Sequence, residues 1–139
     1  MADETSTVAK WLVDTLNGDA TLLGLIGSNN VHEFIASQGA TYPLVVFFPM
    51  GGHDVNGVGA TRIMTAMPYV VKAVDRNKSF DAAKAIAERL DVLLHKKSGM
   101  VTGGGTVLSS VREQPLRIVE IVGSVQYRHL GGVYRIQAQ

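Results

Sequence analysis

The stretch from Thr106 to Ala138 constrains the fold most. It is rich in β-branched residues and is punctuated only by Pro115, Gly123-Ser124 and Gly131-Gly132. That pattern predicts four β segments: Thr106 to Glu113, Leu116 to Val122, Ser124 to Leu130 and Val133 to Ala138. Two-residue turns at Gly123-Ser124 and Gly131-Gly132 would join the last three as a meander. The pairing then follows by counting: Val122 faces Val125, Val119 faces Arg128, Arg117 faces Leu130, Leu130 faces Val133 and Arg128 faces Arg135. Because side chains alternate, one face would carry Ile118, Glu120, Val122, Val125, Tyr127, His129, Tyr134, Ile136 and Ala138 and cover the helices. The other would carry Arg117, Val119, Ile121, Gln126, Arg128, Leu130, Val133, Arg135 and Gln137. Two arginines directly opposite each other destabilise a strand pair. A mixed arginine and apolar face suits a protein–protein interface, so Arg117, Arg128, Arg135, Leu130 and Val133 are the candidate interface or lumen residues. A bulge at either turn would move alternate residues to the other face.

Upstream, Val8, Trp11, Leu12 and Leu16 share one helix face, which predicts a helix from about Thr5 to Leu16 stopped by Asn17-Gly18 in a left-handed cap. Trp11 on that stripe reads as core or interface. Asp19 can cap a short helix over Ala20 to Ile26, closed by Gly27. Leu44 to Phe48 is an uninterrupted apolar run within a strand from Tyr42 to Pro49, which predicts burial on both faces. Arg62 to Asp75 reads as a long strand that Pro68 would place at an edge or bulge. Ser79 is the expected N-cap of a helix running to about Lys97 and ended by Gly99. Its apolar face comprises Phe80, Ala83, Ile86, Ala87, Leu90, Leu93 and Leu94, and Lys84, Glu88, Asp91 and His95 form a solvated polar face. The order predicts one α+β domain over residues 1–139, an antiparallel β-sheet sandwich flanked by two main helices.

Length and composition narrow the functional classes. A chain of 139 residues can bury a sizeable core without covalent staples. With no Cys there is no disulfide framework, zinc-thiolate site or thiol nucleophile. A formal net charge of +1 is not the basic excess of a dedicated nucleic-acid binder. The acidic opening Met1-Ala2-Asp3-Glu4 is not a secretory signal, and no apolar run is long enough to span a membrane. Residues 1–60 carry a net −5 and residues 61–139 a net +6. The asymmetry hints at charged contact surfaces, unless the halves interleave in the fold.

Catalytic motifs are sparse. Gly57-Val58-Gly59 begins a dinucleotide-like pattern, but position 62 is arginine and a strand follows, so no helix N-terminus awaits a phosphate. His53-Asp54 and His32-Glu33 are adjacent pairs without metal-ligand spacing and read as loop polar pairs. His95 suits a helix C-terminus, and His129 with Glu120 reads as a satisfied buried pair. Four glycines in nine residues make Gly51 to Gly59 a flexible loop, with Gly51, Gly52, His53, Asp54, Asn56, Gly57 and Gly59 as candidate partner contacts. No cofactor or metal site is expected; the remote enzymatic reading is a small-ligand enzyme using this loop.

Five segments in order carry a resemblance: the helix through Trp11-Leu12 with Asp19 to Gly27, Tyr42-Pro43-Leu44-Val45, the alanine-rich Ser79 to Ala87, and Tyr127 to Ile136. Together they resemble the small tail terminator, or tail completion, proteins of long-tailed bacteriophages over nearly the whole chain. The resemblance implies a fold related to tail tube subunits and a non-enzymatic virion protein, assembled in the host cytoplasm. It implies a hexameric ring on the head-proximal end of the tail tube that ends polymerisation and joins the neck or head-completion protein. Genomic DNA would pass through the lumen without specific binding, and no membrane is involved. The runner-up is another head–tail joining ring protein. A ring needs contacts between two different patches of each subunit, and opposite charges on them would favour closure.

Overall fold

Asp3 and Asp19 start the first two helices. In the computed structural model, which describes residues 3–139, Asp3 Oδ1 accepts from the Thr5 amide at 3.0 Å and opens helix α1, Glu4–Asn17. Val8, Trp11, Leu12 and Leu16 are all buried, as their spacing predicts. Met1 and Ala2, the start of the acidic opening, lie outside the described residues. The helix does stop at Gly18, but with φ −82° rather than a left-handed cap. A Cβ there would lie 2.9 Å from the Asp14 carbonyl, so close packing, not a positive φ, favours glycine. Asp19 then accepts from the Leu22 amide at 2.9 Å and opens α2, Ala20–Ile26, which Gly27 closes at φ +83°.

The strands are β1 (Val31–Glu33), β2 (Leu44–Pro49), β3 (His53–Asn56) and β4 (Arg62–Asp75). After α3 (Asp81–Leu94) come β5 (Lys97–Met100), β6 (Thr106–Val122) and β7 (Val125–Ala138). They form one sheet in the order β1-β2-β4-β7-β6-β5, with β3 also paired to β4. The expectation of a purely antiparallel sandwich is corrected. β1 runs parallel to β2, so the sheet is mixed, and the three helices pack on one face of it. The α+β class stands, with α1 and α3 as the main helices.

Burial on both faces of β2 follows from its unbroken apolar run. Val45 and Phe47 join the main core under the helices, while Leu44 and Val46 join a smaller cluster on the far face with Val74, Tyr42 and Tyr127. The segment between β1 and β2 supplies Ala36 and Ala40 to that second cluster.

Pro68 is not at an edge and makes no bulge, because β4 lies between β2 or β3 on one side and β7 on the other, with unbroken register to β2 and β7. Its carbonyl accepts from the Met50 amide at 2.8 Å, where β2 has ended and β3 has not begun. A strand residue directs its N–H and C=O to the same side, so the missing donor faces that gap.

Helix α3 is shorter than predicted. Phe80, not Ser79, is its N-cap and supplies no side-chain bond; the Asp81 amide is 3.5 Å from Ser79 Oγ, too long to cap well. His95 caps its C-terminus and Lys96 takes φ +58°. Gly99 is not the helix stop but part of β5, where a Cβ would meet Trp11 Nε1 at 3.0 Å.

The largest correction concerns the last third. The turn at Gly123-Ser124 exists, with Gly123 at φ +63°, and the pairs Val122–Val125, Val119–Arg128 and Arg117–Leu130 form. Gly131-Gly132 is not a turn: β7 continues straight through it. Pro115 likewise does not end a strand, since β6 is one 17-residue element with irregularities at Val107/Ser109 and Arg112/Gln114. At Gly131 a Cβ would collide with the Val71 carbonyl and lie 2.6 Å from Lys72 Cα. The glycine pair is a site of close backbone approach, the other reading of glycine within a strand. The change of parity moves Leu130 to the helix-covered face with Tyr134, Ile136 and Ala138. Val133 and Arg135 keep the face away from the helices, and Tyr127 and His129, expected to cover the helices, join them there.

Gly131→Ala is expected to destabilise the fold by about 3 kcal/mol, as overpacking against fixed backbone does. Gly24→Ala, in α2 with nothing within 4 Å of its Cβ, should instead stabilise by roughly 0.5–1 kcal/mol. Urea unfolding midpoints of the two variants check both signs.

Candidate functional site

The most distinctive surface is a two-stranded arm. β5 covers β6 only up to Ser110, and β4 follows β7 only back to Arg128. Beyond these points, among the described residues, β6 and β7 pair only with each other, and β6 presents a bare outer edge. Val119 and Ile121 are exposed on the helix side, Ile118 and Val122 on the far side, and Ile121 is 67% accessible. The arm thus exposes apolar side chains on both of its faces.

The predicted arginine face is split. Arg117 and Arg128 lie on the helix side, their guanidinium carbons 4.0 and 5.2 Å from the centre of the Phe80 ring. Arg135 is on the far side and pairs with Glu113 at 3.2 Å. Arg128 is opposite Asp75 on β4 and Val119 on β6, not opposite Arg135, so the like-charge clash never arises. Leu130 packs against the main core and Val133 is buried, so neither joins a free face with the arginines.

The Gly51–Gly59 segment is not a loop throughout. His53 to Asn56 form β3 on β4, with a register shift at Val55/Asn56. Gly52 is required there because a Cβ would lie 2.5 Å from the Ala66 carbonyl. Asp54 accepts from the Thr65 hydroxyl at 2.7 Å and lies 3.7 Å from Arg62, which also reaches Glu4 at 3.2 Å. His53, Asn56 and Gly59 are exposed, as are Gly51 and Gly52; Gly57 is half-buried.

Ion pairs also reinterpret the charge asymmetry. Arg89 grips Asp19 through two bonds of 2.8 and 2.7 Å, tying α3 to the cap of α2. That contact holds the Asp19 carboxyl below its usual range. Glu4, Asp19 and Asp54, from the acidic segment, thus meet Arg62 and Arg89, from the basic one, inside a single molecule.

The histidines are placed apart. His32 Nε2 is 3.0 Å from Asn30 Oδ1, and the Asn30 amide holds the carbonyls of Ile26, Thr41 and Pro43. His95 Nδ1 accepts from the Arg112 amide at 3.0 Å, a joint between helix and sheet rather than a dipole contact alone. His129 Nε2 lies 3.5 Å from Glu120, but only the histidine is buried, at 12% side-chain exposure against 57%. That corrects the expected buried pair. No cluster of three or more His, Asp or Glu suited to a metal occurs among the described residues.

The sequence reading missed the far-face cluster, where Arg76 stacks at 5.3 and 5.7 Å from the Tyr42 and Tyr127 rings. With Leu44, Val46, Lys72 and His129, these tyrosines line an open groove of about 520 Å³. Its signal was present in the two-faced apolar run of β2, which requires cover on both sides.

No protein family matches the chain by sequence, and neither does any curated protein. Among solved structures it is similar to a chain in the virion of a native gene transfer agent (GTA) particle. The identity is 15% and the TM-score 0.67, over 96% of this chain and 93% of that one. At that identity the likeness shows a shared fold.

Burial first, and the Lys72 charge second, hold the His129 imidazole below its ordinary 6.5. Its Nδ1 is buried without a protein partner, so protonation would strand a donor. The unfolded chain therefore binds this proton more readily, and stability contributed by the neutral ring is present above pH 6.5 and lost as pH falls through the folded value. The urea midpoint should decline as pH falls from 7 towards 5, and decline less in His129→Gln.

Proposed function

We propose that this chain is a structural virion protein of the tail terminator type, a single non-enzymatic domain over residues 1–139. It forms a hexameric ring at the head-proximal end of a phage tail tube, ends tube polymerisation and presents the joint to the neck protein. It works within the virion after assembly in the host cytoplasm. Genomic DNA passes through the lumen without specific binding.

The observation that carries this reading is the shared fold along 96% of the chain with a component of a gene transfer agent virion. The order of elements adds to it, since the segments that resemble terminators are α1, α2, β2, α3 and β7. The surfaces add further support. The arm exposes Ile118, Val119, Ile121 and Val122 with Arg117 at its base, which suits a subunit that works by contact. A net charge of +1 suits a conduit, because each neutralised phosphate would add salt-dependent grip on passing DNA.

Purified protein added to growing tail tubes should give six-fold caps at one end in electron micrographs and halt elongation. Tubes that stay uncapped and keep growing would contradict the proposal. Capping of isolated necks or connectors, with tubes untouched, would replace it with the head–tail joining reading.

A further inference from the structure

The arm lies towards one margin of the sheet, and the other margin holds a surface with complementary properties. β1 ends the sheet at the margin opposite β5 and the arm of β6, and its outer edge pairs with no strand among the described residues. Beside it, Phe34 and Pro49 with Ala9, Thr5 and Tyr69 line a cleft of about 370 Å³ between α1 and the end of β1. Glu33 lines this cleft too, and Asp3 lies beside it, accepting from the hydroxyls of the lining residues Thr5 and Ser6 at 2.6 and 2.9 Å. Glu33 is exposed and makes no ion pair among the described residues. Phe34 is 57% exposed and the adjoining Ile35 is 83% exposed. One margin is therefore apolar with an acidic rim. The arm is apolar with Arg117 and Arg128 at its base, and neither guanidinium meets a carboxylate among the described residues.

We propose that the β6–β7 arm of one copy docks against the α1–β1 cleft of a second copy of this chain. The occupant is specified by both properties at once. Ile121 and Val119 supply the apolar contact for Phe34 and Ile35. Arg117 and Arg128 supply cations for Asp3 and Glu33, which pair with none among the described residues, and stacking on Phe80 holds the guanidinium planes in place before contact. The two patches are different surfaces of the same molecule, so the contact is head-to-tail, and repetition closes a ring or runs on as a filament. An arm-to-arm pairing would give a closed dimer and would bring Arg117 and Arg128 of both copies together, which like-charge repulsion opposes. The inference deepens the ring reading above and rests on it: it names the joint between neighbours.

The chain has no cysteine, so disulfide trapping reports contacts without background. Ser124→Cys places a thiol at the arm tip and Ser6→Cys places one on the cleft. Mixed under oxidising conditions at high protein concentration, the two single variants should form a cross-linked heterodimer, and neither should cross-link with itself. In the Ser124→Cys background, Arg117→Glu with Arg128→Glu should lower the cross-linked fraction at least tenfold. Adding Asp3→Lys and Glu33→Lys to the Ser6→Cys partner should restore it. Circular dichroism confirms that each variant is folded. Cross-linking of Ser124→Cys with itself, or no cross-link between folded variants, overturns the proposal. Wild-type protein that caps tubes while the mixed pair fails to cross-link separates the two questions: the role would stand and this joint would fall.

Discussion

The fold depends on how closely the backbone of β7 can lie between β4 and β6. At Gly131 the neighbouring Val71 carbonyl and Lys72 Cα leave no room for a Cβ, and at Gly132 a Cβ would press on the Gln114 carbonyl at 3.1 Å and displace the Arg112 side chain. Two residues without side chains let a 14-residue strand pass through the centre of the sheet uninterrupted. Everything at the margins follows from that passage. Because β7 continues, its first residues extend past β4 and carry the distal half of β6 out as an arm. Because its parity is unbroken, Tyr134, Ile136 and Ala138 share the covered face with Leu130, and Arg135 leaves the face of Arg128 and Arg117.

Much of this was legible in the residues, for physical reasons that can be named. The apolar stripe Val8, Trp11, Leu12 and Leu16 has only one way to be buried, so α1 was clear. Asp19 and Gly27 bracket α2 with a donor trap and a positive φ, and the bounds came out as read. β4 was placed to the residue because charged Arg62 and Asp75 end a β-rich run. Glycine pairs are ambiguous in a way these are not. Gly131-Gly132 satisfies a tight turn and a close approach equally well, and only the tertiary neighbours decide between them. The arginine face failed for that reason, since one wrong turn reverses every residue beyond it. Pro68 was misplaced because a gap between β2 and β3, a tertiary feature, supplies the tolerance that an edge would have given.

The charge pattern was legible as a sum but not as an arrangement. Half of the acids in the first segment are spent inside the molecule, on Arg62 and Arg89, where Asp19 both caps one helix and anchors another. What remains outside is more informative: acidic groups beside the exposed apolar margin at β1, and arginines at the base of an apolar arm. An interface that uses apolar area for affinity and charge for direction needs this division. No such division is required of a chain that works alone, and this is the physical content of reading the protein as an assembly subunit.

The continuity of β7 is the claim on which the arm, the faces and the proposed contacts rest, and cross-strand nuclear Overhauser effects measure it directly. The account predicts backbone contacts from Gly131 to both Leu116 and Lys72, and from Arg128 to both Val119 and Asp75. Contacts from Leu130 to Val133 and from Arg128 to Arg135, with none from Gly131 to Lys72, would mean a hairpin at the glycine pair and would contradict it.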